Sequence, residues 1–506
     1  MVFEKTILRG ERMTKIGFDS EKYLHMQSEK ISERINEFGG KLYLEFGGKL
    51  FDDNHAARVL PGFAPDNKIK MLSKLKDKAE IVMVINSLDI QKNKVRSDLG
   101  ITYDQDVVRL IGIFRSYELL VNSVVLSKFD QSNEPAVLFA KRLKKMGLKV
   151  YRHYLIKGYP SNVEHIISDE GYGKNDYIET SRNLVVVTAP GPGSGKMATC
   201  LSNIYHDLKR GIKSGYAKYE TFPIWNLPLK HPVNVAYEAA TADLNDVNMI
   251  DPWHLSAYGV TTTNYNRDVE IFPVLNALFE KLMGISPYKS PTDMGVNMAG
   301  FAISDDGVCQ EASKQEIIRR YFKALENERR NNLDPDESEK IFHLMQGLNV
   351  SIEDRKVYVA CAEKLQKEKV PCSAIELSDG KIITGKTSEL LESQSAMLLN
   401  ALKYLAGIDD DIKILLPERI VPITELKVKY LSSVTPRLHI DEMLIALSSS
   451  SVTNEYAQLA ISKLPLLSGA QMHSSVLLPH IDLKMLRKLG IVSTSTAVYE
   501  DKNLKK

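Results

Sequence analysis

Short, almost wholly apolar runs alternate with amphipathic stretches through the first part of this 506-residue chain, and this alternation restricts its possible folds more than any other feature. The apolar runs are rich in β-formers and lie at 41–46, 80–86, 120–129, 148–156 and 183–189. The amphipathic stretches have helical spacing and lie at 20–38, 104–116, 134–146 and 162–169. Strands that are apolar on both faces and alternate with helices predict a parallel sheet covered on both sides. The predicted fold class is therefore α/β, with a doubly wound sheet.

The rest of the chain is less regular, and 506 residues exceed what one hydrophobic core supports, so several domains are expected. After residue 230 Asn, Asp, Thr, Tyr and Pro are frequent, which indicates loops, and charged helical stretches follow at 312–331 and 336–346. We predict an N-terminal extension (1–15), the sheet domain (16–230), a small loop-rich middle subdomain that closes on it (231–310), a helical connector (311–352) and a C-terminal α/β domain (353–506).

The C-terminal domain has its own alternation of strand and helix signals. Strands are predicted at 373–377, 381–384 and 412–415, and Ser-Asp-Gly at 378–380 supplies a hairpin turn between the first two. Helices are predicted at 393–405, 440–446 and 454–464. In the middle region, an apolar helix at 271–283 would bury its side chains either in a core or in a dimer, so a homo-oligomer stays open.

Charge and cysteine content argue against several classes of function. Lys plus Arg number 66 and Asp plus Glu 64, so the net charge of +2 gives no field for attracting nucleic acid or an anionic membrane. The four cysteines lack CxxC spacing and no HExxH motif is present, so no zinc is predicted. No signal-peptide core and no run of roughly 18 to 20 apolar residues is found, which makes a soluble cytoplasmic protein the expectation.

One segment carries a recognisable chemistry. The apolar strand at 183–189 runs into PGPGSGK at 190–196, and the residues that follow have helical spacing up to 209. Glycines let backbone N–H groups converge on an anion, and the N-terminus of a helix adds a partial positive charge. Lys196 supplies an ammonium for the outer phosphates. Strand, glycine-rich turn, lysine and helix together predict a phosphate-binding site.

The turn matches the common nucleotide-binding pattern GxxxxGK[ST] only in part. Gly195 and Lys196 fit, but Pro190 occupies the first glycine position, and Met197 stands where a Ser or Thr normally ligates Mg²⁺. Thr199, in the first turn of the helix, is the substitute that the sequence offers. The dinucleotide pattern GxGxxG does not fit, because Lys196 stands at its last glycine. The alternative interpretation is a tight strand-to-helix connection that needs glycine and binds nothing.

A second segment, at 45–58, also follows a predicted strand and contains paired glycines. It carries Lys49, Asp53, His55 and Arg58 within ten residues. In an open parallel sheet the carboxyl edge of the strands is where ligands bind, so Lys49 and Arg58 are candidates for charge neutralisation beside a phosphate. The sequence leaves equal room for a surface loop with no such role.

A third segment, at 237–254, is acidic. Asp243, Asp246 and Asp251 are close enough in sequence to hold Mg²⁺ or to provide a general base. The alternative is a solvated loop in which Asp and Asn act as helix caps and turn residues.

Four segments resemble one family: KLYLEFGGKLFDDNHAARVLPGF (41–63), APGPGSGKMATCLSNIYHD (189–207), YEAATADLNDVNMIDPWHLSAYG (237–259) and PRLHIDEMLIALS (436–448). It is the bacterial domain of unknown function 1846 family, also called uncharacterised protein family 0371, and the similarity runs from about Ile16 to Tyr499. The resemblance implies a P-loop-like α/β domain, small middle subdomains and a C-terminal domain similar in topology to cytidine deaminases. The zinc ligands of deaminases are missing, and the resemblance supplies no established activity.

The leading hypothesis is a nucleotide- or phosphometabolite-dependent enzyme, a hydrolase or transferase, that uses ATP or another nucleotide with Mg²⁺. The rival is a non-catalytic sensor or scaffold that binds a phosphorylated small molecule, and the missing hydroxyl after Lys196 favours it. A dinucleotide oxidoreductase would fit the sheet but not the glycine spacing. The predicted catalytic residues are Lys196, Asp243 and Asp246. The predicted phosphate-binding residues are Gly191, Gly193, Ser194, Gly195, Lys196, Thr199, Lys49 and Arg58.

Overall fold

The structure is a computed structural model that describes residues 15–47, 50–51, 53–96 and 100–500. The chain divides into two compact units, and the division falls between Ser313 and Lys314. Within the described ranges no helix has both the length and the apolar character needed to cross a bilayer. The extension predicted at 1–15 lies outside the described residues, apart from Lys15.

The strands are β1 (Leu42–Phe46), β2 (Ala79–Asn86), β3 (Val95–Arg96), β4 (Ile101–Thr102), β5 (Leu120–Ser127), β6 (Lys149–Arg152), β7 (Leu184–Thr188), β8 (Gly215–Tyr219), β9 (Asn248–Ile250), β10 (Thr263–Tyr265), β11 (Gly295–Val296), β12 (Cys372–Glu376), β13 (Ile382–Lys386), β14 (Gln471–Ser474) and β15 (Val492–Ser495). The helices up to residue 294 are α1 (Ser20–Glu37), α2 (Asn54–Val59), α3 (Asn67–Lys74), α4 (Ser87–Gln91), α5 (Tyr103–Ser116), α6 (Glu134–Lys145), α7 (Val163–Ile166), α8 (Lys196–Lys209), α9 (Pro232–Ala240), α10 (Pro252–Tyr258), α11 (Asn266–Met283) and α12 (Pro291–Met294). The later helices are α13 (Asp306–Asn331), α14 (Asp336–Gly347), α15 (Lys356–Glu368), α16 (Ser393–Leu405), α17 (Pro417–Glu425), α18 (Ile440–Ser450), α19 (Glu455–Ser462) and α20 (His480–Lys488).

The first unit is built on a seven-stranded sheet with the order β11-β8-β1-β7-β2-β5-β6, in which every neighbouring pair is parallel. This confirms the prediction of an α/β fold with a parallel sheet, and all five predicted strands are members of it. β8 and β11 extend one side of the sheet, although the sequence analysis predicted no strand in either segment. β7 lies between β1 and β2, so the turn that follows it emerges near the middle of the carboxyl edge.

One face of this sheet is covered by α8 and α11, which form a single hydrophobic core with it. Val185 and Val187 of β7 point into this core, together with Ile204 of α8 and Phe279 of α11. Burial of each such side chain stabilises the fold by about 1.5–3 kcal/mol. The apolar helix predicted at 271–283 therefore buries its apolar side chains in the core of its own unit.

The second unit contains a four-stranded mixed sheet with the order β13-β12-β14-β15. The predicted hairpin is confirmed, because β12 and β13 pair antiparallel on either side of 377–381. The strand predicted at 412–415 is wrong. Ile414 and Leu415 are buried in the core of this unit but have no strand partner, since a short apolar run can pack its side chains without joining a sheet.

Acid is expected to destabilise the second unit through His473 of β14, which is 1% exposed. Burial, and then the positive charge of Arg355, lowers the pKa of His473 to about 3. Below about pH 6.5 the unfolded chain binds this proton and the folded chain does not, so the free energy of unfolding falls by about 1.4 kcal/mol per pH unit. Hydrogen exchange of the β14 amides at about pH 6.5 and 4.5 measures the effect. The His473→Gln variant should lack this pH-dependent fall in stability. An equal fall in the wild type and in the variant would contradict the prediction.

Candidate phosphate-binding site

The glycine-rich turn at 190–196 joins the end of β7 to the start of α8, as predicted. Two polar side chains from the ends of neighbouring strands fix its backbone. Ser127 of β5 donates from Oγ to the carbonyl of Ser194 at 2.5 Å, and Asn86 of β2 donates from Nδ2 to the carbonyl of Gly193 at 3.4 Å. Because these contacts use the carbonyl oxygens, they leave the N–H groups of the turn unused.

The three glycines of the turn are required for two different reasons. Gly193 and Gly195 adopt φ angles of +71° and +91°, a backbone region that side-chain-bearing residues rarely enter. At Gly191 the constraint is space, because an added Cβ would lie 2.4 Å from the hydroxyl of Tyr103. Alternation of ordinary and left-handed backbone turns successive N–H groups toward one side, which is the geometry of an anion-binding nest.

The N–H groups of this turn donate no hydrogen bond within the described part of the chain. The first backbone donor after the turn is Thr199, whose N–H bonds the carbonyl of Gly195 at 2.9 Å. The amides of Gly193, Ser194, Gly195 and Lys196 therefore have no acceptor among the described residues. Pro192 and Gly193 are exposed, so the turn is open to solvent. A helix N-terminus with unused donors carries partial positive charge and favours an anion.

Three hydroxyls close to the turn are buried and have no hydrogen-bond partner among the residues that the structure describes: Thr188 at the end of β7, Ser194 within the turn and Thr199 in α8. Their residues are 0%, 3% and 1% exposed. A buried hydroxyl without a partner costs about 1–3 kcal/mol. Three such groups lie between 188 and 199, in and beside the turn.

The ammonium of Lys196 faces Glu45, which lies near the carboxyl end of the adjacent strand β1. Lys196 Nζ and Glu45 Oε1 are 3.9 Å apart, and the two side chains are 14% and 11% exposed. The other carboxylate oxygen of Glu45 accepts a hydrogen bond from the hydroxyl of Tyr216 at 2.7 Å. Burial, and then the charge of Glu45, raises the pKa of Tyr216 well above its ordinary value, so this hydroxyl remains a donor.

The acidic segment after α9 does not form one cluster. Asp243 is exposed, in a short 3₁₀ helix at Ala242–Leu244. Asp246 is 5% exposed and pairs with Arg267 at 2.9 Å, and burial raises its pKa. Asp251 is a helix cap: its carboxylate accepts from the N–H groups at the start of α10 and from the Thr292 hydroxyl at 2.6 Å. Two of the three acids are thus engaged in contacts within the protein.

The second predicted segment is only partly described. Lys49 lies outside the described residues. Arg58 is half-buried on α2, which packs against α9. Asp53 caps α2 by accepting from the Ala56 N–H at 3.2 Å, and it also pairs with Lys68 at 2.8 Å. The roles proposed for Lys49 and Arg58 stay predictions.

A second charged cluster lies beside Glu45, at the carboxyl end of β8. Lys218 is paired across the sheet with Glu45, and its ammonium contacts Glu220 at 2.7 Å, the hydroxyl of Tyr265 at 2.5 Å and the carboxylate of Asp268. Burial disfavours the ammonium, but the charges of Asp268 and Glu220 raise the pKa of Lys218 well above its ordinary value. Burial raises the pKa of Glu220, an effect that the charge of Asp268 reinforces.

Sequence reasoning missed several residues that define the site. Glu45, Asn86 and Ser127 are each at or near the last residue of a strand, and that position was the available signal, because parallel strands end at a common edge. Nothing local indicates that β1, the strand of Glu45, is the neighbour of β7, the strand that leads to Lys196. Lys218 gave no signal, since a lysine in a short run normally indicates a surface strand.

Fold and site together define a two-domain α/β protein whose larger, parallel sheet carries an open glycine-rich turn at its carboxyl edge. The chain belongs to the family described as domain of unknown function DUF1846: the N-terminal model matches residues 16–349 and the C-terminal model 353–504. It is 58% identical to a UPF0371 protein of Corynebacterium urealyticum over 97% of this chain and 98% of that protein. A UPF0371 protein of Streptococcus sanguinis is 56% identical over 96% of this chain and 99% of its own length. The family resemblance is confirmed.

Proposed function

We propose that this protein binds a nucleotide or another phosphorylated metabolite on the turn at 190–196. The observation that carries the proposal is the set of N–H groups from Gly193 to Lys196, which have no acceptor in the described part of the chain and belong to a turn that is exposed at Pro192 and Gly193. The three buried hydroxyls without partners and the ammonium of Lys196 support it further. A phosphate there would accept from the amides and from Lys196, and it would satisfy donors that otherwise remain unused.

We further propose that the turn acts as a P-loop-like element in a nucleotide-dependent hydrolase or transferase that uses ATP or another nucleotide with Mg²⁺. Lys196 would hold the outer phosphates and stabilise the charge of the transition state. Its position at the first residue of α8, after a left-handed Gly195, supports this role. The hydroxyl of Thr199, in the first turn of the same helix, has no partner in the described ranges, although Met197 occupies the usual metal-ligand position.

A non-catalytic sensor or scaffold that binds the same ligand is the second candidate. It is favoured by Met197, whose side chain offers Mg²⁺ no hydroxyl, and by Asp251, whose carboxylate is used as a helix cap. In this case phosphate binding would change the state of the protein without turnover. Cytoplasmic location and homo-oligomer formation stay predictions in both cases.

For the C-terminal unit we propose a topology similar to that of cytidine deaminases, without their zinc chemistry. The support is the family resemblance together with a four-stranded mixed sheet. Among the described residues no group of three His, Cys, Asp or Glu side chains is placed to hold a metal ion. A role in signalling the ligand state suits this unit better than deamination.

Isothermal titration of the full chain with ATP, GTP and common sugar phosphates tests the binding proposal. We expect saturable heat from at least one of these ligands, because the turn offers several amide donors and one ammonium to a single phosphate group. Absence of heat from every ligand, with and without Mg²⁺, would refute phosphate binding at the turn.

Phosphate release separates the enzyme from the sensor. If the protein is an enzyme, incubation with the ligand that binds should liberate inorganic phosphate or transfer it to an acceptor, and Lys196→Ala should lose that activity. Saturable binding without any release over several hours, with Mg²⁺ present, would favour the sensor.

A further inference from the structure

Glu45 is placed where it would oppose the binding of a phosphate. In the described part of the chain it is the one ion-pair partner of Lys196, at 3.9 Å, which is the outer limit for such a pair. A phosphate on the turn would use the same ammonium from the other side. Two anions would then flank one cation in a partly buried site, where charges are poorly screened.

The carboxylate of Glu45 is held in a fixed orientation. Its Oε2 accepts from Tyr216 at 2.7 Å, and its Oε1 faces Lys196. Glu45 is 8% exposed and lies on β1, which is hydrogen-bonded along its length to β7 and β8. A rigid strand position keeps the carboxylate beside the turn when a ligand arrives.

The other carboxylates near this edge are already committed. Glu220 and Asp268 surround the ammonium of Lys218, and Asp246 pairs with Arg267. Glu45 is distinguished from them by its long ion pair, in which one oxygen faces the ammonium of Lys196.

A divalent cation would remove the conflict between Glu45 and a phosphate. Mg²⁺ in phosphate sites is bound by one or two carboxylates together with phosphate oxygens and water, and it does not require a cage of three protein ligands. The hydroxyls of Ser194 in the turn and Thr199 in the first turn of α8 have no partner among the described residues, and each could accept a hydrogen bond from metal-bound water or donate to phosphate.

We infer that Glu45 couples phosphate binding to a divalent cation: its Oε1 ligates Mg²⁺, directly or through a water, and the ion bridges to oxygens of the phosphate held on the 190–196 turn. The inference rests on the proposed function and specifies its cation. In the absence of the cation, Glu45 keeps the Lys196 ammonium in its ion pair, and the affinity for phosphate is lower. With the cation bound, Lys196 moves to the phosphate.

Titration of the full chain with inorganic pyrophosphate, in Mg²⁺ and in EDTA, tests the inference. We expect wild-type affinity to be about tenfold or more higher in Mg²⁺. Magnesium lowers the charge of pyrophosphate, which by itself would weaken binding to a cationic turn, so an enhancement reports ligation by the protein. Glu45→Gln should bind more tightly than the wild type in EDTA, because Lys196 is released, and should show no enhancement by Mg²⁺.

Glu80→Gln is the matched control. Glu80 is also a buried carboxylate of this sheet, but it lies at the amino end of β2 and accepts from the backbone N–H groups of Ser181 and Arg182. It should respond to Mg²⁺ as the wild type does. If Glu45→Gln is unstable, Glu45→Asp keeps the charge but withdraws the carboxylate from the turn, so it should lose the enhancement by Mg²⁺.

The outcomes separate the inference from the proposed function. An enhancement by Mg²⁺ that persists in Glu45→Gln, or equal wild-type affinity in Mg²⁺ and EDTA, would overturn the inference and leave phosphate binding in place. Failure of pyrophosphate to bind any chain under either condition would overturn both.

Discussion

Lys196→Ala is expected to bind the phosphorylated ligand about 10- to 100-fold more weakly than the unaltered chain, since a hydrogen bond to a charged group contributes about 1.5–3 kcal/mol. Lys196 is the first residue of α8, where alanine is well tolerated, and its only ion pair in the described structure is the long contact with Glu45. The fold should therefore survive the substitution. Isothermal titration with the ligand that binds the wild type measures the change.

Lys209→Ala is the control for net charge. Lys209 is the last residue of the same helix, about 20 Å from Lys196, and it pairs with Asp169 on the surface. Its removal changes the charge of the chain by the same amount but should leave the affinity unchanged. If both variants lost affinity equally, binding would depend on overall charge and the turn would have no special role.

Lys218→Met should lower the free energy of unfolding of the unit Ile16–Ser313 by about 3 kcal/mol or more, because it leaves two carboxylates close together without their cation. Glu220 is 5% exposed at its side chain and Asp268 17%, so water screens them poorly. Both tryptophans of the chain, Trp225 and Trp253, lie in this unit, so urea unfolding followed by tryptophan fluorescence reports on it selectively.

Two further variants test why Lys218→Met loses stability. Glu220→Gln in the Lys218→Met background should restore part of the stability, since it removes one of the two opposed charges. Lys281→Met breaks an exposed ion pair with Glu164 and should change stability by about 1 kcal/mol or less. Equal losses from Lys218→Met and Lys281→Met would show that the buried cluster contributes no more than a surface pair.

The strands of the central sheet were predictable where their composition was unambiguous. β2 and β7 contain apolar runs, at 81–85 and 184–187, and are buried at every residue; such runs indicate a strand covered on both faces. β8 was missed because its sequence, GYAKY, contains a lysine and two glycine- or alanine-sized residues. That lysine is stabilised by Glu220 and Asp268, which come from a following loop and from α11, so only the folded chain explains its burial.

The turn at 190–196 was predictable because its chemistry is local. Glycines at 193 and 195, a lysine at 196 and a following helix are adjacent in the chain, and their backbone geometry depends little on distant residues. The acidic partner was not predictable in this way. Asp243 and Asp246 were chosen for their density in sequence, whereas the acid that faces Lys196 is Glu45, 151 residues earlier in the chain.

The amino-acid sequence by itself determined an α/β chain with a parallel sheet and one glycine-rich strand–turn–helix element, because apolar periodicity and glycine content act over a few residues. The tertiary structure decided which side chains surround that element. β7 enters the sheet between β1 and β2, and this order brings Glu45, Asn86 and Ser127 to one edge. Strand order is set by the packing of helices on both faces and by long-range pairing, which no local pattern encodes.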